Sequence, residues 1–187
     1  VGLSLLSIIN PTISFQVENI IALPVIESDT IEIKNQIIES VKYCIGISKE
    51  DWDNFETSWN FSSFPLLRNN SQNSLEESID YFKQLWLVKF NDLHNQEEAI
   101  NELYLSIYGL LNEIDAKIPP KDVTILDEIV KTNKNEIIID VRKIIENLLS
   151  FGVGCMFGRY SLDKEGLILA NQGDTVQGYL QKIGKSA

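Results

Sequence analysis

The spacing of apolar positions changes along this chain, and each change marks a different kind of element. Val1–Ile9 and Thr12–Val17 are apolar and rich in β-branched residues, with Asn10-Pro11 as a turn signal between them. Ile20–Ile26 then runs into a loop marked by Pro24. This texture predicts short strands that must add to strands elsewhere or pack on the helices that follow. From Ser28 the spacing becomes helical, with Ile33, Ile37, Val41, Cys44 and Ile45 on one side. Ser48 followed by Asp51 predicts the cap of a second, short helix through Phe55. Residues 57–73 are rich in Ser and Asn, whose side chains hydrogen-bond their own backbone and oppose helix formation. Trp59, Phe61 and Phe64 are aromatic anchors within that irregular stretch, and Pro65 marks a turn.

Ser74-Leu75-Glu76-Glu77 is a capping box and the clearest helix start in the chain. Leu75, Ile79, Phe82, Trp86, Phe90 and Leu93 follow at near-heptad steps, a seam suited to packing against another helix. Asn95 with Glu98 offers a second cap, and Ile100, Leu103, Tyr104, Ile107 and Leu111 carry the stripe onward. The two pieces read as one kinked long helix or as a helical hairpin, ended by Pro119-Pro120. Asp122–Leu126 reads as a short strand or extended segment and Lys131–Asn135 as a polar loop. Ile138, Val141, Ile145, Leu148 and Leu149 drive a last long helix into Gly152–Gly158. The fold class expected is therefore mainly α, a helical connector or bundle with a few short N-terminal β-strands. Three regions are expected: a strand-rich end of a preceding recognition-type region at 1–26, a helical domain at 27–163, and a Gly-rich tail at 164–187 whose order is open.

Length changes this picture little, since 187 residues hold one domain, or one and part of another. Charge changes it more. Sixteen basic residues against 27 acidic ones give a net charge of −11, which argues against a main phosphate-gripping surface. It leaves room for membership of a larger DNA-binding protein whose basic channel lies elsewhere. Met156 is the only methionine, so Val1 is not a translation start and the chain reads as an internal segment. Cys44 and Cys155 lack Cys-x-x-Cys spacing and read as buried, reduced thiols of a cytoplasmic protein. No apolar run approaches the ~18 residues of a membrane span, so no membrane partner is expected.

Candidate chemistry is sparse. Gly152-x-Gly154-x-x-x-Gly158 superficially resembles a dinucleotide fingerprint, but that motif needs a strand before it and a helix after it. Here a helix precedes and turn residues follow, so close packing and a helix C-terminus account for the glycines. Arg159 either caps the carbonyls of that helix or pairs with Asp163, or else contacts a phosphate or base with Tyr160 beside it. Arg159 and Tyr160 are thus the candidate DNA contacts. His94, the only histidine, reads as a solvated connector residue, and its solitude excludes multi-histidine metal sites. Glu50, Asp51, Asp53 and Glu56 read as a solvated acidic helix face, and Trp52, Trp59 and Trp86 as packing anchors. Asn10-Pro11 begins like the Asn-Pro-Pro-Tyr motif that holds a flipped base, but Thr12-Ile13 does not continue it. No catalytic, cofactor-binding or metal-binding residue is expected in this segment.

Several blocks nevertheless occur together in a familiar order. They are Asn10-Pro11-Thr12 with Phe15-Gln16-Val17 and Leu23-Pro24, then Ser48–Asp53 with Phe55–Trp59, then Ile107–Leu110, Asp122–Ile125, and Gly154–Asp163 with Gly166-Leu167. In this order they resemble the large adenine-specific DNA methyltransferases of the BREX phage-defence type (PglX-like) and their relatives among fused restriction–modification enzymes. The resemblance implies a parent protein that transfers a methyl group from S-adenosylmethionine to adenine in a short non-palindromic DNA site. It also implies that the methyltransferase motifs lie upstream of these blocks, so that no catalytic residue and no cofactor carries over to this segment.

Two functional expectations follow. The first is a non-catalytic helical segment that positions target-recognition elements, with DNA as partner through the parent protein. The alternative is a helical protein–protein interaction module that engages a partner or a second copy through Leu75, Ile79, Phe82, Trp86 and Phe90.

Overall fold

The computed structural model describes residues 2–12, 14–26, 28, 30–68, 72, 74–133 and 136–184. Among these residues are six α-helices and one two-stranded antiparallel sheet: α1 (Gly2–Ile9), α2 (Val17–Ile21), α3 (Ile31–Trp52), α4 (Leu75–Tyr108), β1 (Val130–Asn133), β2 (Glu136–Ile139), α5 (Val141–Met156) and α6 (Val176–Lys182). The chain is mainly α, as expected, but its strands lie at 130–139 and not at the N-terminus. Two compact units are present, one made of Val1–Ile45 and Asp92–Pro119, the other of Gly46–Asn91 and Pro120–Ala187. Neither the boundary expected at 26 nor that at 163 coincides with this division.

In the first unit, the Val1–Ile9 run expected to be a strand is α1 from Gly2 on, while α2 takes the end of the second run and the start of the third, and residues 14–16 and 22–26 lie in neither helix nor strand. A strand's backbone groups need a neighbouring strand, whereas a helix satisfies them within its own turns. No partner strand accompanies these runs among the described residues, and none of their described residues lies in a strand. Asn10 organises the turn between the two helices. Its Oδ1 accepts the Thr12 N–H at 3.1 Å and its Nδ2 donates to Asn19 Oδ1 at 2.9 Å. The C-terminal part of α4 carries the fully buried Leu105 and ends at Tyr108. Gly109 adopts a φ of +69°, and the Leu110 N–H returns to the Leu105 carbonyl at 2.8 Å, closing a Schellman-type cap. The stop therefore comes from Gly109, well before Pro119-Pro120. The segment that follows folds back onto α4. His94 Nε2 bonds the Ile118 carbonyl at 2.6 Å, and Glu98 accepts the Ile118 N–H at 3.0 Å and Lys117 Nζ at 3.1 Å. Thus Asn95 and Glu98 do not begin a new helix, and His94 is a half-buried clasp rather than a solvated connector.

In the second unit, α3 passes Ser48 without a break and ends at Trp52, so the short capped helix expected there is absent. The start of α4 is as expected, with Ser74 Oγ accepting the Glu77 N–H at 3.1 Å. Ile79, Phe82, Trp86 and Phe90 are buried within this unit, and only Leu75, at the helix start, is half-exposed. That seam is core and offers no docking surface, which corrects the expectation of partner binding or self-association through it. Phe64, Leu66, Phe82, Ile129 and Ile144 meet around a void of about 10 Å³, close to the size that holds a single water.

Residues 122–126 form no strand. A 3₁₀ turn at Pro120–Asp122 leads into bends, and Leu126 takes a φ of +62°. The sheet comes instead from the next segment, with Val130 opposite Ile139 and Lys131 opposite Ile138. Residues 131–133, expected in a loop, therefore pair with Glu136–Ile138, in the β-branched run that Ile139 completes opposite Val130. Residues 134 and 135 of that expected loop lie outside the described residues. Asp140 then caps α5, accepting the Arg142 N–H at 3.1 Å. Residues 164–184 are structured. Gly166 N–H donates to the Ser62 carbonyl at 2.6 Å, Ile168 is buried, and Thr175 caps α6.

Candidate functional site

Of the blocks that carry the sequence resemblance, Gly154–Asp163 turns back at the end of α5, with Glu56 of the Phe55–Trp59 block near Arg159. Phe151, on the buried face of that helix, stacks on Tyr160 at 5.2 Å and meets Phe61 edge-on at 5.9 Å. Phe61 in turn meets Tyr160 at 5.3 Å. The chain can turn back so sharply because of two glycines. Gly158 adopts a φ of +74°, and the Arg159 N–H returns to the Gly154 carbonyl at 2.8 Å. Gly154 provides the floor for the Tyr160 ring, since a Cβ there would lie 2.7 Å from Tyr160 Cδ2. Gly154→Ala should therefore destabilise the fold by about 1–3 kcal/mol, because two aromatic rings keep Tyr160 from moving aside. Denaturant titration checks this, with Gly152→Ala as the control, since a Cβ at Gly152 meets nothing within 4 Å.

Arg159 and Tyr160 are separated by this geometry. Tyr160 is only 3% exposed and acts as a core aromatic, so it is not available to stack on a base. Arg159 is exposed, with its guanidinium 5.4 Å from the centre of the Tyr160 ring. Its positive charge also acts on Glu56, whose carboxyl is pushed above its usual range by burial, an effect that Arg159 and a hydrogen bond from Ser150 oppose. One Glu56 oxygen, Oε1, is buried without a hydrogen-bond partner. Thr57, Phe61, Asn147 and Ser150 line the adjacent cavity of about 190 Å³.

The acidic residues read as one solvated face have four different surroundings. Glu50 pairs with Lys89, and Asp53 accepts the Ser58 hydroxyl at 2.6 Å. Glu56 faces Arg159. Asp51 is buried and accepts the Leu126 N–H at 3.0 Å through Oδ2, while Oδ1 has no partner. Burial raises the Asp51 carboxyl from 3.8 to about 6; the bond from Leu126 opposes this, and Asp127, Glu128 and Glu50 add to it. Among the described residues no group of three or more His, Cys, Asp or Glu side chains is placed to hold a metal ion. Both cysteines are partly buried, and burial raises both thiols, so neither is poised as a nucleophile. Of the three tryptophans read as packing anchors, only Trp86 is buried; Trp52 is 56% exposed and Trp59 fully exposed. No helix of the described residues is long and apolar enough to cross a membrane.

No family model matches the chain. Two curated proteins do. The chain is 30% identical over 171 residues to the adenine-specific methyltransferase PglX of Lacticaseibacillus casei (strain Zhang), a match that covers 89% of this chain and 13% of that protein. It is 31% identical over 176 residues to the adenine-specific methyltransferase BrxX of Escherichia coli O9:H4 (strain HS), covering 90% of this chain and 14% of that protein. The resemblance read from the ordered blocks is thereby borne out: the chain is similar, along nearly its whole length, to a small part of each of these methyltransferases.

Proposed function

We propose that these 187 residues are a non-catalytic helical part of an adenine-specific, S-adenosylmethionine-dependent DNA methyltransferase of a phage-defence system. In that protein they position target-recognition elements relative to the catalytic domain, and the whole acts on DNA in the cytoplasm. One observation carries the reading: nine-tenths of the chain is similar to proteins named adenine-specific methyltransferases, of which it spans about one-seventh or less. The net charge of −11 agrees with a positioning part better than with a DNA-gripping one.

Isolated protein should show no saturable S-adenosylmethionine binding by calorimetry, whereas the complete polypeptide should transfer labelled methyl groups to adenine in duplex DNA. Saturable binding by the isolated chain would overturn the reading. Within it, Arg159 is the residue assigned to DNA. Arg159→Ala in the complete protein should weaken DNA binding and reduce the steepness of its salt dependence by about one unit of log–log slope. An unchanged slope would return Arg159 to a structural role over the Tyr160 ring.

A further inference from the structure

Helix α5 is apolar on two faces. The inner face is buried, with Ile144 beside Phe64 and Ile129 and with Phe151 in the aromatic cluster. The outer face carries Ile145, Leu149, Val153 and Met156, at steps of four, four and three residues, within an arc of about 80°. These side chains are 38%, 64%, 51% and 85% exposed, and Phe157 at the helix end is 81% exposed. The stripe runs about 16 Å along the helix.

Gly152 lies in the same stripe. Gly154 is required by Tyr160 and Gly158 by its positive φ, but a Cβ at Gly152 would enter open space. Within this unit the helix thus carries a glycine, at a cost in helix stability relative to alanine, with no local need for it. A glycine amid exposed apolar side chains is what lets a second backbone come close.

We propose that this outer face of α5 is covered by an apolar segment of the same polypeptide lying outside these 187 residues. The inference rests on the reading of the chain as one part of a longer methyltransferase. The similar proteins have chain enough to supply the segment, since the match takes up only 13% and 14% of them. Two free molecules need roughly 800 Å² per partner to hold together. A tethered segment, present at an effective concentration in the millimolar range, needs far less. Two copies of a chain with a net charge of −11 would also repel one another across the face.

Met156 is the only methionine and stands at the end of the stripe, so its oxidation by hydrogen peroxide reports on this face alone. Mass spectrometry should find rapid sulfoxide formation in the isolated chain and at least tenfold slower formation in the complete polypeptide. Val153→Lys in the complete polypeptide should restore the rapid rate. Equal rates in the isolated and complete proteins would overturn the proposal. So would slow oxidation of an isolated chain that elutes as a dimer, which would assign the face to a second copy. Methyl transfer measured on the same preparation separates the two readings. A protected Met156 in a protein without methyltransferase activity would sink the methyltransferase reading and leave the covered face standing.

Discussion

Trp86→Ala should lower the unfolding free energy by about 3–5 kcal/mol, the largest effect expected of any single truncation in this chain. The indole is 1% exposed. It lies against the Phe82 ring with centroids 6.1 Å apart, and the Lys89 ammonium sits 4.9 Å from its own ring centre. Truncation removes the apolar burial, leaves a cavity that α4 cannot close, and deprives Lys89 of its aromatic partner. Leu75→Ala is the matched control from the same seam. Leu75 is 49% exposed and should cost less than 1 kcal/mol. Urea titrations followed by circular dichroism give both values. Similar losses at the two positions would show that the seam is not the core of this unit.

Asp51→Asn should abolish a pH dependence of stability worth about 3 kcal/mol between pH 4 and pH 6. The folded carboxyl titrates at about 6, against an ordinary 3.8, chiefly because burial disfavours its charge. A raised folded pKa means that the native state holds its proton more tightly than the unfolded chain does. The stability this confers is complete below about pH 4 and is lost as the pH rises through 6. Asparagine keeps an acceptor for the Leu126 N–H and carries no charge, so the variant should lack that decline. Carboxyls held below their usual range, such as Glu98 by the Ile118 N–H and Asp140 by Lys131, tilt the whole-protein profile the other way. The comparison is therefore the difference between wild type and variant at pH 4.5 and pH 7.5. A difference that stays constant across that interval would refute the assignment.

Buried Asp51 also shows where sequence reading stops. In the sequence it is one carboxylate among four near a helix end, and nothing local sets it apart. Its burial comes from the residues around Leu126, 75 positions away, whose N–H it accepts. Tyr160 is a similar case. Beside an arginine in a turn it reads as an exposed partner, but Phe61 and Phe151 enclose it. The signals that were legible are local ones. Ser74 predicts the start of α4, and the steps from Ile79 to Leu93 mark residues that are all buried. The glycine run predicts a helix end, which Gly158 supplies. Tyr108-Gly109 was an equally local stop signal, obscured by the more conspicuous Pro119-Pro120.

What the sequence determined by itself, then, was the dominant helical class, the principal apolar stripe of α4 and the likeness to adenine-specific methyltransferases, because capping, periodicity and block order are all written in neighbouring residues. Tertiary structure alone decided three other things: that the apolar N-terminal runs form no strand, that the α4 seam is spent on the protein's own core, and that α5 keeps a second apolar face open. A strand without a partner leaves its backbone groups unsatisfied, and an apolar stripe looks the same in sequence whether it faces its own core or another segment. Only the positions of distant residues distinguish these outcomes.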